Sequence, residues 1–347
     1  MSKAAELANL IGNINAGGGG VNRNVVINGA MNVAQRGTSY ASVANNAYTL
    51  DRFAFTYSQD GAFTVTQDSS SPDGFANSLK LDVTTADSSL AASQYLIMEH
   101  KIEAQNLQHL HFGKSSAKNI TLSFYVKSNK TGTYGVSIIQ SDNSSKIANL
   151  TYTINSADTW EEKSLTFTGD TSGVINDDNG EGLKVGFTLA VGSTWTSGDT
   201  SASFRTFVNG NYGGGQTVNI LDSTSNEWFI TGIQLEVGQN PTEFEHEPFE
   251  RTLVKCERYF ASDTMYLQAY QVNTTDYSVI HYFPTTMRTA PTRAFSGSAL
   301  YEANIANATI SATPGSVDGL NDCRIYVRPS STGNIEYGRH LTFDAEL

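Results

Sequence analysis

Ile120, Leu122, Phe124 and Val126 alternate with Thr121, Ser123, Tyr125 and Lys127. A period of two sends successive side chains to opposite faces of an extended strand, so the first set meets a core and the second meets solvent or a neighbour. The same alternation recurs at 53–58, 63–67, 79–83, 134–139, 150–154, 165–168, 183–189, 218–221 and 228–237. Turn clusters at 69–74, 141–145 and 176–182 divide these runs at intervals of about ten residues. Short, evenly spaced strands with no helical pattern between them predict a mainly β fold with a β-sandwich over residues 24–240.

Composition fits that class. The chain has 347 residues, of which 39% are hydrophobic and 16% charged, and this suffices for a sizeable core and two domains. Gly, Ser, Thr and Asn supply turn geometry and exposed strand faces without ion pairs. With 17 Phe, 16 Tyr and 3 Trp there are enough large side chains to anchor burial. The formal net charge of −12 gives a phosphate backbone no surface to neutralise, which argues against nucleic acid as a partner. No apolar run approaches the roughly 20 residues needed to cross a bilayer, so membrane insertion is not expected. The first twenty residues lack the long apolar block of a secretory signal. Cys256 and Cys323 have no partner motif and are expected as buried thiols. Asn-x-Ser/Thr sequons at Asn119, Asn129, Asn143, Asn149, Asn273 and Asn307 are what a chain rich in these residues contains by chance.

Outside the sandwich the pattern changes three times. Leu7, Leu10, Ile11 and Ile14 form one stripe of a short N-terminal helix, and the glycines at 17–20 tether it, so residues 1–23 are expected to act as an attachment segment. Such a helix needs another surface to cover its stripe. Residues 241–262 form a connector: Pro241 and Pro248 end the strand pattern, and Leu253, Val254, Cys256, Tyr259 and Phe260 fall at near-helical spacing. From residue 263 to 347 the period returns to two, with strands expected at 265–272, 277–283, 292–297, 308–312, 324–327 and 341–345, which make a smaller C-terminal β domain.

Several segments resemble bacteriophage tail-fibre-like virion proteins, in order along most of the chain. These are residues 24–38 (NVVINGAMNVAQRGT), 48–53 (YTLDRF), 160–173 (WEEKSLTFTGDTSG), 178–192 (DNGEGLKVGFTLAVG), 230–256 (ITGIQLEVGQNPTEFEHEPFERTLVKC) and the terminal LTFDAEL. The resemblance implies a jelly roll of the carbohydrate-binding-module type and a structural component of a tail fibre or tail appendage. It also implies a homotrimer, docking to other virion tail proteins through the N-terminal helix, and attachment to a host-surface glycan. Such a protein is made in the host cytoplasm and resides in the virion tail. A scaffold, adaptor or capsid-mounted virion protein without receptor binding is the alternative that the resemblance leaves open.

Chemistry is weakly signalled, and neither an enzyme nor a cofactor is expected. No G-x-S-x-G elbow occurs. Glycoside cleavage needs two carboxylates held roughly 5–10 Å apart. Glu161 and Glu162 would point to opposite faces of a strand, and Glu243, Glu245 and Glu247 sit in the proline-bearing connector. Asp170, Asp177, Asp178, Asn179 and Glu181 could offer oxygen ligands to calcium, but their spacing is not that of an EF-hand loop and reads as an Asn/Asp turn. His109 and His111 would face one way on a strand, as a His-x-His metal pair at a threefold axis requires; such fibres repeat the motif and this chain has one. No metal is expected. A sugar site asks for an exposed aromatic plane beside polar groups. Trp228 lies in the apolar alternation and reads as core, and Trp160 is ambiguous. Trp195, in GSTWTSGD, and Tyr212, in NGNYGGG, are the expected ligand-binding residues, with packing under a long loop as the competing reading.

Overall fold

A computed structural model describes residues 3–4, 7–8, 22–142, 145–271, 277–311 and 320–347. Leu10, Ile11 and Ile14 of the predicted N-terminal helix lie outside these residues, as do Val272 and Ala312 at the ends of two predicted strands; Lys3, Ala4, Leu7 and Ala8 are helical. The chain divides into two compact units, Met1–Glu247 and Pro248–Leu347.

Unit 1 is a sandwich of two antiparallel sheets. The strands are β1 (Ser39–Ala41), β2 (Ala47–Tyr48), β3 (Phe53–Ser58), β4 (Ala62–Asp68), β5 (Ser78–Thr85), β6 (Tyr95–Glu103), β7 (Ile120–Ser128), β8 (Gly132–Gln140), β9 (Lys146–Ile154), β10 (Glu161–Phe167), β11 (Glu181–Val191), β12 (Ser201–Thr206) and β13 (Glu227–Val237). One sheet has six strands in the order β1-β4-β5-β13-β7-β10, and the other seven in the order β12-β9-β8-β11-β6-β3-β2. The core lies between them. Val65, Leu81, Leu122, Phe124 and Trp228 come from the first sheet and Phe55, Met98, Tyr134, Val136 and Phe187 from the second, all within one buried cluster. Phe124 packs edge-on against both Phe187 and Tyr152, with ring centroids 5.1 Å apart in each case. Along β7 the inward set is the one that alternation assigns: Ile120, Leu122, Phe124 and Val126 are all buried in that cluster.

Two glycines of the segments quoted above are required by geometry. Gly232 has φ +63° and marks a bulge in β13, and a Cβ there would lie 2.7 Å from Phe75 Cζ and 2.9 Å from Tyr125 Cδ2. A Cβ on Gly29 would lie 2.0 Å from the carbonyl oxygen of Ile233.

The structure corrects the alternation reading at several elements, and β1 and β2 are short strands that it did not include. β6 was not expected, because YLIMEHKIE shows no period: Leu96, Ile97, Met98, Glu99 and His100 are all buried, so both faces of this strand are covered. Residues 218–221 are not a strand; Ile220–Asp222 is a single 3-10 turn whose start is capped by Asn219 Oδ1 accepting the N–H of Leu221. β12 (SASFRT) carries too few apolar residues to have signalled itself.

Unit 2 begins with helix α2 (Phe249–Glu257), whose Thr252 and Cys256 are buried while Phe249 and Val254 are each 51% exposed; the short helix α1 (Ser193–Thr196) belongs to unit 1. Its strands are β14 (Phe260–Gln271), β15 (Tyr277–Tyr282), β16 (Thr292–Ala303), β17 (Ile305–Ser311), β18 (Asp322–Pro329) and β19 (Gly333–Asp344). They pair as two three-stranded antiparallel sheets, β14-β19-β16 and β15-β18-β17. Met265, Leu267, Ile325, Val327, Leu341 and Phe343 fill the core between them. Cys256 and Cys323 are both buried, and burial pushes the Cys323 thiol up to about 11.

Candidate functional site

The two residues expected to present aromatic planes lie in one layer. Residues 192–217 run from α1 through β12, the edge strand of the seven-stranded sheet, to a 3-10 turn at Asn209–Asn211, and the segments on either side of β12 pack Trp195, Phe207 and Tyr212 on the outer face of that sheet. There Tyr212 packs with Ile97, Ile139 and Ile147, and Tyr95, Trp195 and Phe207 close the edge of this small second core. Small residues make the room, since a Cβ on Gly186 of β11 would come within 3.2 Å of Tyr212 Oη.

The expectation of an exposed Tyr212 is therefore corrected. Its residual exposure is 5%, and its hydroxyl donates to Glu99 Oε1 at 2.8 Å. Lys184 Nζ lies 3.1 Å from the same oxygen. Burial first, and then the Glu99 carboxylate, push the Tyr212 phenol well above its ordinary range, so it stays a neutral donor. Trp195 is half-buried: its ring stands edge-on to Tyr95 at 4.8 Å and to Tyr212 at 6.1 Å, and its Nε1–H donates to Ser93 O at 2.8 Å. The structure thus brings Trp195 and Tyr212 together as structural partners over a covered sheet face.

The other candidate groups are engaged structurally. Asp170 is 5% exposed and takes Lys146 Nζ on both oxygens at 3.0 and 2.9 Å. Burial works to raise its pKa, but Lys146 and the N–H groups of Ser172 and Gly173 outweigh it and hold the carboxyl low. Asp178 Oδ1 accepts the N–H of Gly180, and Glu181 pairs with Ser141 and Lys101. These oxygens do not converge on one point, and among the described residues no cluster of His, Cys, Asp and Glu is placed to hold a metal ion. His109 closes the 3-10 helix Ala104–Leu110 and His111 follows in a left-handed conformation (φ 56°), so the pair is not on a strand. Glu161 accepts from Asn155 and Ser156 and pairs with Lys163 at 2.5 Å; these contacts overcome desolvation and bring it to about 2.

Three of the quoted segments, far apart in sequence, meet in the folded chain. Asn24 Nδ2 donates to Ile233 O and Asn24 Oδ1 accepts the N–H of Leu235, each at 3.0 Å. The Glu245 carboxylate accepts the N–H groups of Asn22, Arg23 and Asn24 at 2.6, 2.6 and 3.0 Å. Gln234 Oε1 accepts the N–H of Glu245, and the buried Glu236 accepts from Thr242 through both oxygens. The Asp51 carboxylate accepts the backbone N–H and the side-chain amide of Gln35 at 2.7 Å each, and Asn28 Nδ2 donates to Asp51 O and Val33 O. Residues 24–38, 48–53 and 230–245 therefore form one hydrogen-bonded clamp, which ties the point where the chain enters the sandwich to the point where it leaves. Replacing Glu245 with Ala should lower the stability of unit 1 by about 1–2 kcal/mol, since a half-exposed carboxylate serving three donors is lost. Urea unfolding with an unchanged m-value is the measurement, and a midpoint equal to wild type would show the clamp to be passive.

No known protein family and no curated protein matches the chain. Solved structures that it is similar to include the enzymatically active domain of tailspike protein 4 of bacteriophage CBA120, at 13% identity and a TM-score of 0.32, covering 62% of this chain. The chain spans 21% of that tailspike's length. A CBM4 structure aligns at 15% identity and a TM-score of 0.31, over 61% of this chain and 99% of the other. A family 11 carbohydrate-binding module of the Clostridium thermocellum cellulase Lic26A-Cel5E aligns at 12% identity and a TM-score of 0.31, over 60% and 98%.

Exposed aromatic planes do occur, in unit 2. Tyr266, Tyr270 and Tyr282 are 71%, 70% and 69% exposed. Tyr266 and Tyr270 share the outer face of β14, where Met265 and Leu267 face the core; Tyr282 lies on β15 in the other sheet. They stand on regular strands, not in the Gly-rich loops where Trp195 and Tyr212 were expected to bind sugar. Their signal was the alternation MYLQAYQ at residues 265–271, in which the apolar positions are odd and the tyrosines even.

Proposed function

We propose that the chain is a structural component of a bacteriophage virion, a tail fibre or tail appendage. It assembles as a homotrimer, docks on the particle through its N-terminal segment and attaches to a host-surface glycan through a jelly-roll unit and a smaller β unit. The observation that carries this reading is the clamp: three segments of tail-fibre-like sequence up to 221 residues apart are the ones that hydrogen-bond to each other. They couple the entry and exit of a β-sandwich, as a modular appendage strung between an anchor and a distal unit requires. Its work is mechanical and adhesive, without catalysis, and release of reducing ends from host polysaccharide would contradict it.

Labelled antibody on intact particles tests the location, with label at the tail as the expected result. Light scattering of the purified protein should give the mass of three 37.5 kDa chains. Absence from particles, or a monomer at all concentrations, would overturn the reading. Three copies of a weak glycan site would supply the avidity that adhesion needs. Trp195, with part of its ring open to solvent, is the contact assigned to unit 1; Trp195→Ala particles should adsorb more weakly, and unchanged adsorption removes it.

One observation favours the alternative of a scaffold or capsid-mounted protein without receptor binding. The outer face of the seven-stranded sheet around Ile97, Ile139 and Ile147 is covered by the chain's own Trp195, Phe207 and Tyr212. Wild-type adsorption by particles lacking the protein would select that alternative.

A further inference from the structure

We infer that the outer face of the β14-β19-β16 sheet is a binding site for a neutral oligosaccharide, with Tyr266 and Tyr270 as its two stacking planes. The inference rests on the reading of the chain as a glycan-attaching appendage and gives that attachment a place and a ligand class. Five consecutive outward positions on β14 are Ser262, Thr264, Tyr266, Gln268 and Tyr270. Each carries a hydrogen-bonding group, none carries a charge, and the two tyrosines are the most exposed aromatics among the described residues. Across the register, Gly338 stands opposite Tyr266, Glu336 opposite Gln268 and Asn334 opposite Tyr270. Gly338 leaves the floor beside Tyr266 without a side chain. Gln268 stands between the two tyrosines along β14, with Glu336 opposite it on β19.

Chemistry selects the occupant. An aromatic face flanked by amide and carboxylate groups suits a sugar ring, whose C–H face stacks and whose hydroxyls donate to the carboxylate and exchange bonds with the amide. A protein interface would be expected to centre on apolar side chains that lose all their water, whereas every outward position of β14 here carries a polar atom. Glu336, together with the net charge of −12, disfavours an anionic ligand. Four residues along a strand span about 13 Å, so no single ring touches both tyrosines and the ligand must be a chain of several rings.

The test uses the full-length protein in affinity electrophoresis through gels containing dextran, mannan or mixed-linkage β-glucan, with alginate as an acidic control. Wild type should be retarded by at least one neutral polysaccharide. Tyr266→Ala and Tyr270→Ala should each weaken that retardation roughly tenfold, and the double variant should abolish it. The light-scattering mass of the double variant should equal that of wild type, and methyl glycosides should not compete. Retardation unchanged in the double variant overturns this site and leaves glycan attachment standing. A wild-type protein retarded by none of the three neutral gels overturns the site and the glycan part of the reading together. A double variant with altered mass makes the face a contact between copies of the chain, which also overturns the inference.

Discussion

Replacing Trp228 with Ala is expected to cost unit 1 about 3–5 kcal/mol, a large share of the roughly 5–15 kcal/mol that holds a domain folded. Trp228 has no exposed surface and stands on β13, the strand that joins β5 to β7 in the six-stranded sheet. Its indole is near Phe187 of the facing sheet, with centroids 6.3 Å apart, and its Nε1–H donates to Tyr152 Oη at 3.2 Å. Truncation removes the largest side chain of the core, leaves a cavity between the sheets and takes a donor from a buried phenol. Trp228→Phe separates these effects. It keeps most of the volume and should cost about 1–3 kcal/mol, largely from the orphaned Tyr152 hydroxyl. Because Trp228 and unit 2 share no core cluster, a thermal scan that resolves two transitions should show one displaced and the other at its wild-type temperature. Displacement of both by the same amount would mean that the units unfold as one.

Trp228 also shows where sequence was a sufficient guide. Its place in the core follows from alternation, as do the inward residues of β4 and β5, because each of those two strands has one covered face and one more open face. Alternation fails where both faces are covered. β6 carries no period because residues 192–217 cover its outer side, and that layer could not be foreseen without knowing the fold. The same layer explains the fate of Tyr212. Glycines beside an aromatic were read as an exposed loop, whereas NGNYGGG lies flat on the sheet over Gly186, and the phenol enters the space that a side chain would fill. The converse holds for Tyr266 and Tyr270, whose exposure follows from a regular strand pattern. The clamp was legible only in that its segments resemble tail-fibre-like virion proteins; that Glu245 would bind the N–H groups of residues 22–24 depends on how β13 leaves the sheet, and no local pattern encodes it.

The buried His100 makes unit 1 sensitive to mild acid. It lies on β6 with 1% exposure, its ring is 5.0 Å from Phe53, and its Nε2 accepts the N–H of Ile27 at 3.3 Å, a role open only to the neutral ring. Burial first, then the charge of the fully buried Arg52, push its pKa well below 6.5. Above pH 6.5 the ring is neutral in the folded and unfolded chain alike and contributes no pH dependence. Below pH 6.5 the unfolded chain takes up a proton that the folded chain refuses, so stability falls by about 1.4 kcal/mol per pH unit until the folded pKa is reached. His109, lowered by burial in the same unit, adds a decline of the same sign. Asp51, raised by burial, works in the opposite sense, since the folded chain then binds the proton more readily, but only from its raised pKa down towards 3.8. Glu161, held at about 2, loses its contribution between pH 4.5 and about 2, below the histidine window. Urea midpoints of unit 1 should therefore be level from pH 8 to 7 and decline from pH 6.5 to 5. His100→Gln should lower the plateau, because the ring packing is lost, and flatten most of the decline. An equal decline in that variant would assign the acid sensitivity to another group.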